Sequence, residues 1–197
     1  MASTSDTQRP ARSLGTLLLA GAALATTQLL AVRELVSALF GEEVVILLVT
    51  ATLFAAISFG YWLAPRMRRF GRAGQIAFVA GCLLHLTLPV LPRHAFAWLP
   101  AHGWNGTAPL FVAIVLAVVL LAPLSTLLPR AVASYADPVQ GMRWSYTAEL
   151  VGFLLGLGLT QPCFGHGIEV LLALHWTLLA LVAGLALGTR ALAVVAV

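Results

Sequence analysis

Apolar runs of about twenty residues, parted by short polar connectors, fill almost the whole chain. Six stand out: 13–32, 44–65, 73–92, about 109–128, 145 to about 165, and 170–189. A helix needs about 20 apolar residues to cross ~30 Å of hydrocarbon. None of the runs alternates with a period of two, which argues against barrel strands. The pattern predicts an all-α, polytopic membrane helical bundle of about six transmembrane helices. It forms a single domain over 13–197, after a polar opening at 1–12 expected to be a disordered cytoplasmic tail. Pro89 and Pro123 lie inside runs and predict bends.

Composition strengthens the membrane reading. The chain is 60% hydrophobic and only 9% charged, with a mean hydropathy of +0.97. Soluble domains carry about a quarter charged residues. All 11 basic residues are arginine. With the N-terminus inside, Arg9, Arg12, Arg66, Arg68, Arg69, Arg72, Arg130, Arg143 and Arg190 fall on the inner side, against Arg33 and Arg93 outside. This asymmetry predicts an N-in/C-in topology. An all-arginine basic set suits a high-GC genome, so the expected location is the bacterial inner membrane. The net charge of +4 is spread over loops and does not suggest nucleic-acid binding. Cys82 and Cys163 fall within apolar runs and read as buried thiols, not a disulfide framework. Trp98 and Trp104 suit the outer interfacial belt.

Few residues in such a chain carry chemistry, and each has a bland reading beside the sharp one. Arg33, Glu34, Glu42 and Glu43 cluster at the outer turn of the first hairpin. Between them LVSALF forms an interfacial step with Leu35, Val36, Leu39 and Phe40 toward lipid, ended by Gly41. Acids suit the start of the next helix, so the group reads either as a well-capped connector or as a contact for a partner or cation. Glu149 sits about one turn inside the fifth run. It reads as an ion or partner contact, or as a snorkelling carboxylate paired with Arg143 or Tyr146. His85 and His175 lie at similar depths, counted from the inner side. Facing one another they would suit haem ligation; otherwise each bonds a neighbouring helix. Gly152 with Gly156, and Gly184 with Gly188, have the four-residue spacing of close helix packing.

Motifs of enzymes are absent: there is no Walker loop, no GxSxG and no CxxC. Two stretches carry a family resemblance. QLLAVRELVSALFGEEVVILLVTATLFAAISFGYWLAPRMRR resembles the first hairpin of membrane-integral spermidine synthase-like proteins, with Gln28, Arg33, Glu34, Leu35, Phe40, Gly41 and Glu43 at the matching positions. SYTAELVGFLLGLGLTQPCFG resembles a later span of the same family at Tyr146, Glu149, Gly152 and Gly156. The resemblance implies the membrane module of such proteins. The soluble aminopropyltransferase domain is missing from this chain, so that activity is not carried over. The resulting expectation is a non-catalytic membrane subunit or scaffold, partnered by the bilayer and by other membrane subunits and needing no cofactor. The alternatives are a small transporter or permeation module for polyamines or other cations, and an electron-transfer subunit holding haem b on His85 and His175.

Overall fold

The computed structural model describes residues 4–39, 42–69, 71–104 and 107–187. These residues form eight α-helices and one 3-10 turn, with no strand among them. The helices are α1 (Thr4–Leu39), α2 (Glu42–Arg69), α3 (Arg72–Leu84), α4 (Leu91–Ala101), α5 (Ala108–Ser125), α6 (Leu127–Val132), α7 (Pro138–Cys163) and α8 (Ile168–Leu187). The 3-10 turn, His85–Thr87, joins α3 to α4. Gly41 and Phe40 lie outside the described residues. α1 reaches back to Thr4, into the polar opening.

Four segments are long and apolar enough to cross a membrane: Ser13–Ser37, Ile46–Met67, Ala108–Val132 and Ile168–Leu187. Arg72–Thr87 and Leu91–Ala101, bent by 75°, make a fifth if the pair is taken as one broken crossing. α7 has the length, at 26 residues. It also carries Arg143, Glu149 and Gln161, and it is not among the apolar spans.

The expected third run, 73–92, is therefore not one helix. Pro89 has no N–H to give to the His85 carbonyl one turn back. That carbonyl instead accepts the Leu88 N–H at 3.2 Å, in a 3-10 bond, and the Trp176 indole N–H at 3.4 Å from α8. The chain turns here and restarts as α4, with Pro92 in its first turn.

α1 is the most enclosed span, with 67% of its apolar window buried, against 24% for α2 and 28% for α8. Its inward residues are mostly small: Ala20, Ala22, Ala23, Ala25 and Ala31 are all nearly inaccessible. Lipid tails are as apolar as leucine, so close backbone packing rather than water exclusion holds such helices together. The seam with α7 shows this. A Cβ added at Gly21 would enter the Glu149 carbonyl, at Gly152 the Leu18 carbonyl, and at Gly156 the Cα of Ala22. Residue 152 meets 18 and 156 meets 22, so the two helices run parallel. Leu17, Leu24, Leu53, Phe78, Leu121, Leu124, Leu178 and Val182 complete the main core.

α7 opens on a clear signal. Asp137 caps it, accepting the Val139 N–H at 2.9 Å, and Pro138 follows at its first position. Between α2 and α3, Gly71 takes φ 50°, a left-handed conformation that favours glycine.

Candidate functional site

The break before Pro89 and a proline-bearing turn of α5 lie beside the central polar groups. Pro123 cannot donate to the Val119 carbonyl, which loosens that turn of α5. Its ring seats against Gly81 of α3, where any side chain would collide. The adjoining Leu120 carbonyl accepts from His85 Nε2 at 2.8 Å. His85 Nδ1 meets His175 Nε2 at 3.1 Å, and His175 Nδ1 meets the Thr26 hydroxyl at 2.8 Å. The result is a hydrogen-bonded line from α5 through the α3–α4 break and α8 to α1. Both histidines and Thr26 are 0% exposed.

The two imidazoles thus converge, with ring centroids 5.2 Å apart and planes tilted by 38°. They do not fit an axial pair on haem. Axial histidines aim one nitrogen each at an iron between them, with the macrocycle in the gap. Here those nitrogens address each other, and the remaining two are bonded to Leu120 and Thr26. Among the described residues no group of three or more metal-binding side chains gathers.

Further along α1, Glu34 is 1% exposed and makes a two-pronged ion pair with Arg93 of α4. The Nε–Oε2 distance is 2.7 Å and the Nη2–Oε1 distance 3.1 Å. Paired N–H donors on a carboxylate give both charge and fixed geometry. Leu35, Phe96, Leu99 and Ala113 pack together nearby. Leu35 therefore faces protein, not lipid, and LVSAL continues α1 instead of forming a separate interfacial step.

The acidic cluster at the first hairpin does not converge. Arg33 is exposed, one position and about 100° round the helix from buried Glu34. Glu43 is exposed at the start of α2; Glu42 opens that helix, and its side chain lies outside the description. Glu149 is half-buried on α7, its backbone against Gly21. It forms no ion pair among the described residues; Tyr61 lies within its electrostatic reach. An added Cβ at Gly184 would meet nothing within 4 Å, and Gly188 lies outside the described residues. His94, His102 and His166 are exposed.

Arg93, Thr26 and Leu120 were not singled out by the sequence reading. Arg93 had a visible signal, as one of two outer arginines in a chain with an acid, Glu34, two residues past the end of the first run. Thr26 and a backbone carbonyl had none.

The Glu34–Arg93 pair pins α4 to α1, and its loss has a local signature. Arg93→Gln should speed hydrogen exchange in 88–104 while leaving α7 and α8 unchanged. Arg93→Lys, which keeps charge but loses the fork, should fall between. Uniform exchange across the chain in both variants would show that the pair does not hold α4. Among known proteins, no family model, no curated protein and no solved structure matches this chain.

Proposed function

We propose that the chain is a small permeation module for cations. The reading places six crossings, N-in and C-in, in a bacterial inner membrane, with α7 as the fifth. The carrying observation is that polar groups line the interior at three levels along α1. Half-buried Glu149 of α7, whose backbone packs on Gly21, comes first, the Thr26–His175–His85 line follows, and Glu34–Arg93 comes last. From Gly21 to Glu34 is 13 residues, about 20 Å of helix. Ionisable groups are costly inside a membrane and mark ion or proton paths. The middle level sits at a break in a spanning segment, where irregular backbone serves a polar interior.

The orientation draws support from the inner-side arginines. Arg130 Nη2 reaches Met67 Sδ at 3.6 Å, which places the end of α2 beside α6, while Arg93 stands at the far end of the bundle. A reporter fused to the C-terminus should read out in the cytoplasm; a periplasmic readout overturns the topology.

Flux tests the function. Purified protein in phosphatidylethanolamine–phosphatidylglycerol vesicles should dissipate an imposed pH gradient faster than protein-free vesicles. His175→Phe should return the rate to that of empty vesicles. Equal rates for the unaltered protein and empty vesicles would remove the reading.

A second reading keeps the family resemblance: a non-catalytic subunit related to the membrane module of spermidine synthase-like proteins. The low burial of α2 and α8 favours it, because their outer faces are free for partner helices as well as lipid. Phe59 stacks on Trp62 there at 5.5 Å, and Arg66 lies 3.4 Å over the Trp62 ring. Native mass measurement after gentle solubilisation should then find other chains bound, and a lone monomer counts against it.

A further inference from the structure

The hydrogen-bond line through the bundle centre has one more acceptor than the uncharged groups can supply with protons. The Leu120 carbonyl only accepts, so His85 carries its proton on Nε2. In the uncharged pair, His85 Nδ1 is then bare and takes the His175 Nε2–H. His175 Nδ1 is bare in turn, and must accept the Thr26 hydroxyl proton. Yet Thr26 Oγ1 also stands 3.0 Å from the Ala23 carbonyl, and a hydroxyl has a single proton to give. Four contacts are present and the uncharged state makes three.

One added proton completes the set. With His175 Nδ1 protonated, that nitrogen donates to Thr26 Oγ1 and the Thr26 O–H turns to Ala23. The proton between His85 Nδ1 and His175 Nε2 can then sit on either ring. A second added proton would set N–H against N–H across 3.1 Å, which is repulsive. The hydroxyl turn is undemanding, because the Ala23 carbonyl also receives the Thr27 hydroxyl at 2.7 Å and is not left bare when Thr26 rotates away.

We infer that His85, His175 and Thr26 form a binding site for one proton, shared by the two rings and tracked by rotation of the Thr26 hydroxyl. As the cation-holding step of the permeation module, this rests on that reading; as a proton site it stands on the geometry alone. Proton uptake here is a simple association: the imidazole nitrogen lone pair takes up H⁺, with no bond broken and no oxidation.

The surroundings leave the dyad as the group that carries the charge. On α1 the nearest ionisable side chains are exposed Arg33 and paired Glu34, the latter eight residues and about 12 Å along the helix from Thr26. α3 offers only the buried thiol of Cys82 before Arg72, and α5 has no ionisable side chain. α4 brings Arg93, held by Glu34, and exposed His94. On α8 the nearest is exposed Glu169, six residues and about 9 Å from His175. α7 brings Cys163, buried with Leu30 and Leu120, and Glu149, whose neighbour Gly21 is about 8 Å along α1 from Thr26. α2 contributes Tyr61, near Glu149.

Nitrogen spectra of histidine-labelled protein in lipid bilayers test the site directly. At alkaline pH both buried rings should show Nε2–H with bare Nδ1. On acidification His175 Nδ1 should become protonated, and the two rings together should gain one proton. Thr26→Val, which removes the acceptor for Nδ1–H, should weaken proton binding by at least about tenfold. Thr26→Ser should restore it. Two independent protons, no uptake, or an unchanged Thr26→Val titration would each overturn the site. One shared proton with no vesicle flux sinks the permeation reading and keeps the site. Flux without a shared proton does the reverse.

Discussion

Replacing Gly152 with leucine is expected to abolish recovery of a folded, monodisperse protein in detergent. A Cβ at 152 would enter the Leu18 carbonyl, and the obstacle is backbone, which cannot rotate aside. The helices cannot slide to make room, because Gly156 abuts Ala22 and Gly21 abuts Glu149 in the same seam. Overpacking commonly costs about 1–3 kcal/mol, and more where backbone must move. A side chain as large as leucine therefore parts α7 from α1 and removes the contact on which both depend. Gly158 is the internal control. It lies two residues past Gly156 on the same helix, yet nothing stands within 4 Å of an added Cβ. Gly158→Ala should be neutral, or stabilising by about 0.5–1 kcal/mol from helix propensity. Size-exclusion profiles and thermal unfolding of the two variants, side by side, separate seam packing from a general intolerance of glycine substitution. Equal stability for the two would refute the seam.

His85→Phe is expected to cost about 1–3 kcal/mol with little change in ring volume. Phenylalanine leaves the Leu120 carbonyl without its histidine donor and strands the His175 Nε2–H, both out of reach of water. The Trp176 contact to the residue 85 carbonyl survives, since it is made to backbone. His175→Phe should cost a similar amount. The double variant should cost clearly less than the sum, because each substitution already removes the same shared bond. Interhelical polar pairs in membranes average about 0.6 kcal/mol in such cycles. Full burial of both rings argues for a coupling above that average, measured by reversible unfolding in bicelles. Additive losses would mean that the rings do not act as a unit.

Much of the helical architecture was legible because lipid imposes a coarse rule. A backbone crossing hydrocarbon must satisfy its own hydrogen bonds, so long uncharged runs are helices. That rule recovers the segments around 13–32, 44–65, 109–128 and 170–189. In 73–92 hydropathy registers the apolarity of LLHLTLPVL but not the sharpness of the 75° break there, at the bend that Pro89, with no N–H to donate, predicts. Gly152 and Gly156 stand out as a spacing, but spacing does not say which partner they meet. Gly184 has the same spacing with Gly188, and at Gly184 an added Cβ meets nothing.

The charged stretch VRELVSALFGEE shows the same division. Composition marks it as unusual in a chain that is 9% charged. Proximity along the chain suggested one cluster, whereas the 100° step of the helix sends Arg33 outward and Glu34 inward to Arg93, 59 residues later.

Amino-acid order alone was enough for a multi-pass helical chain with small-residue helix faces and two intramembrane histidines at similar depth. Those properties follow from local hydropathy, residue size and rise per residue, which need no knowledge of neighbours. Folding in three dimensions decided that the histidines bond each other, that Thr26 and the Leu120 carbonyl close the line, and that Glu34 has its partner on α4. These are contacts between helices distant in sequence, and nothing local to either partner encodes them. They arise where Pro89 breaks the backbone and where Gly21 and the buried alanines of α1 let its neighbours approach.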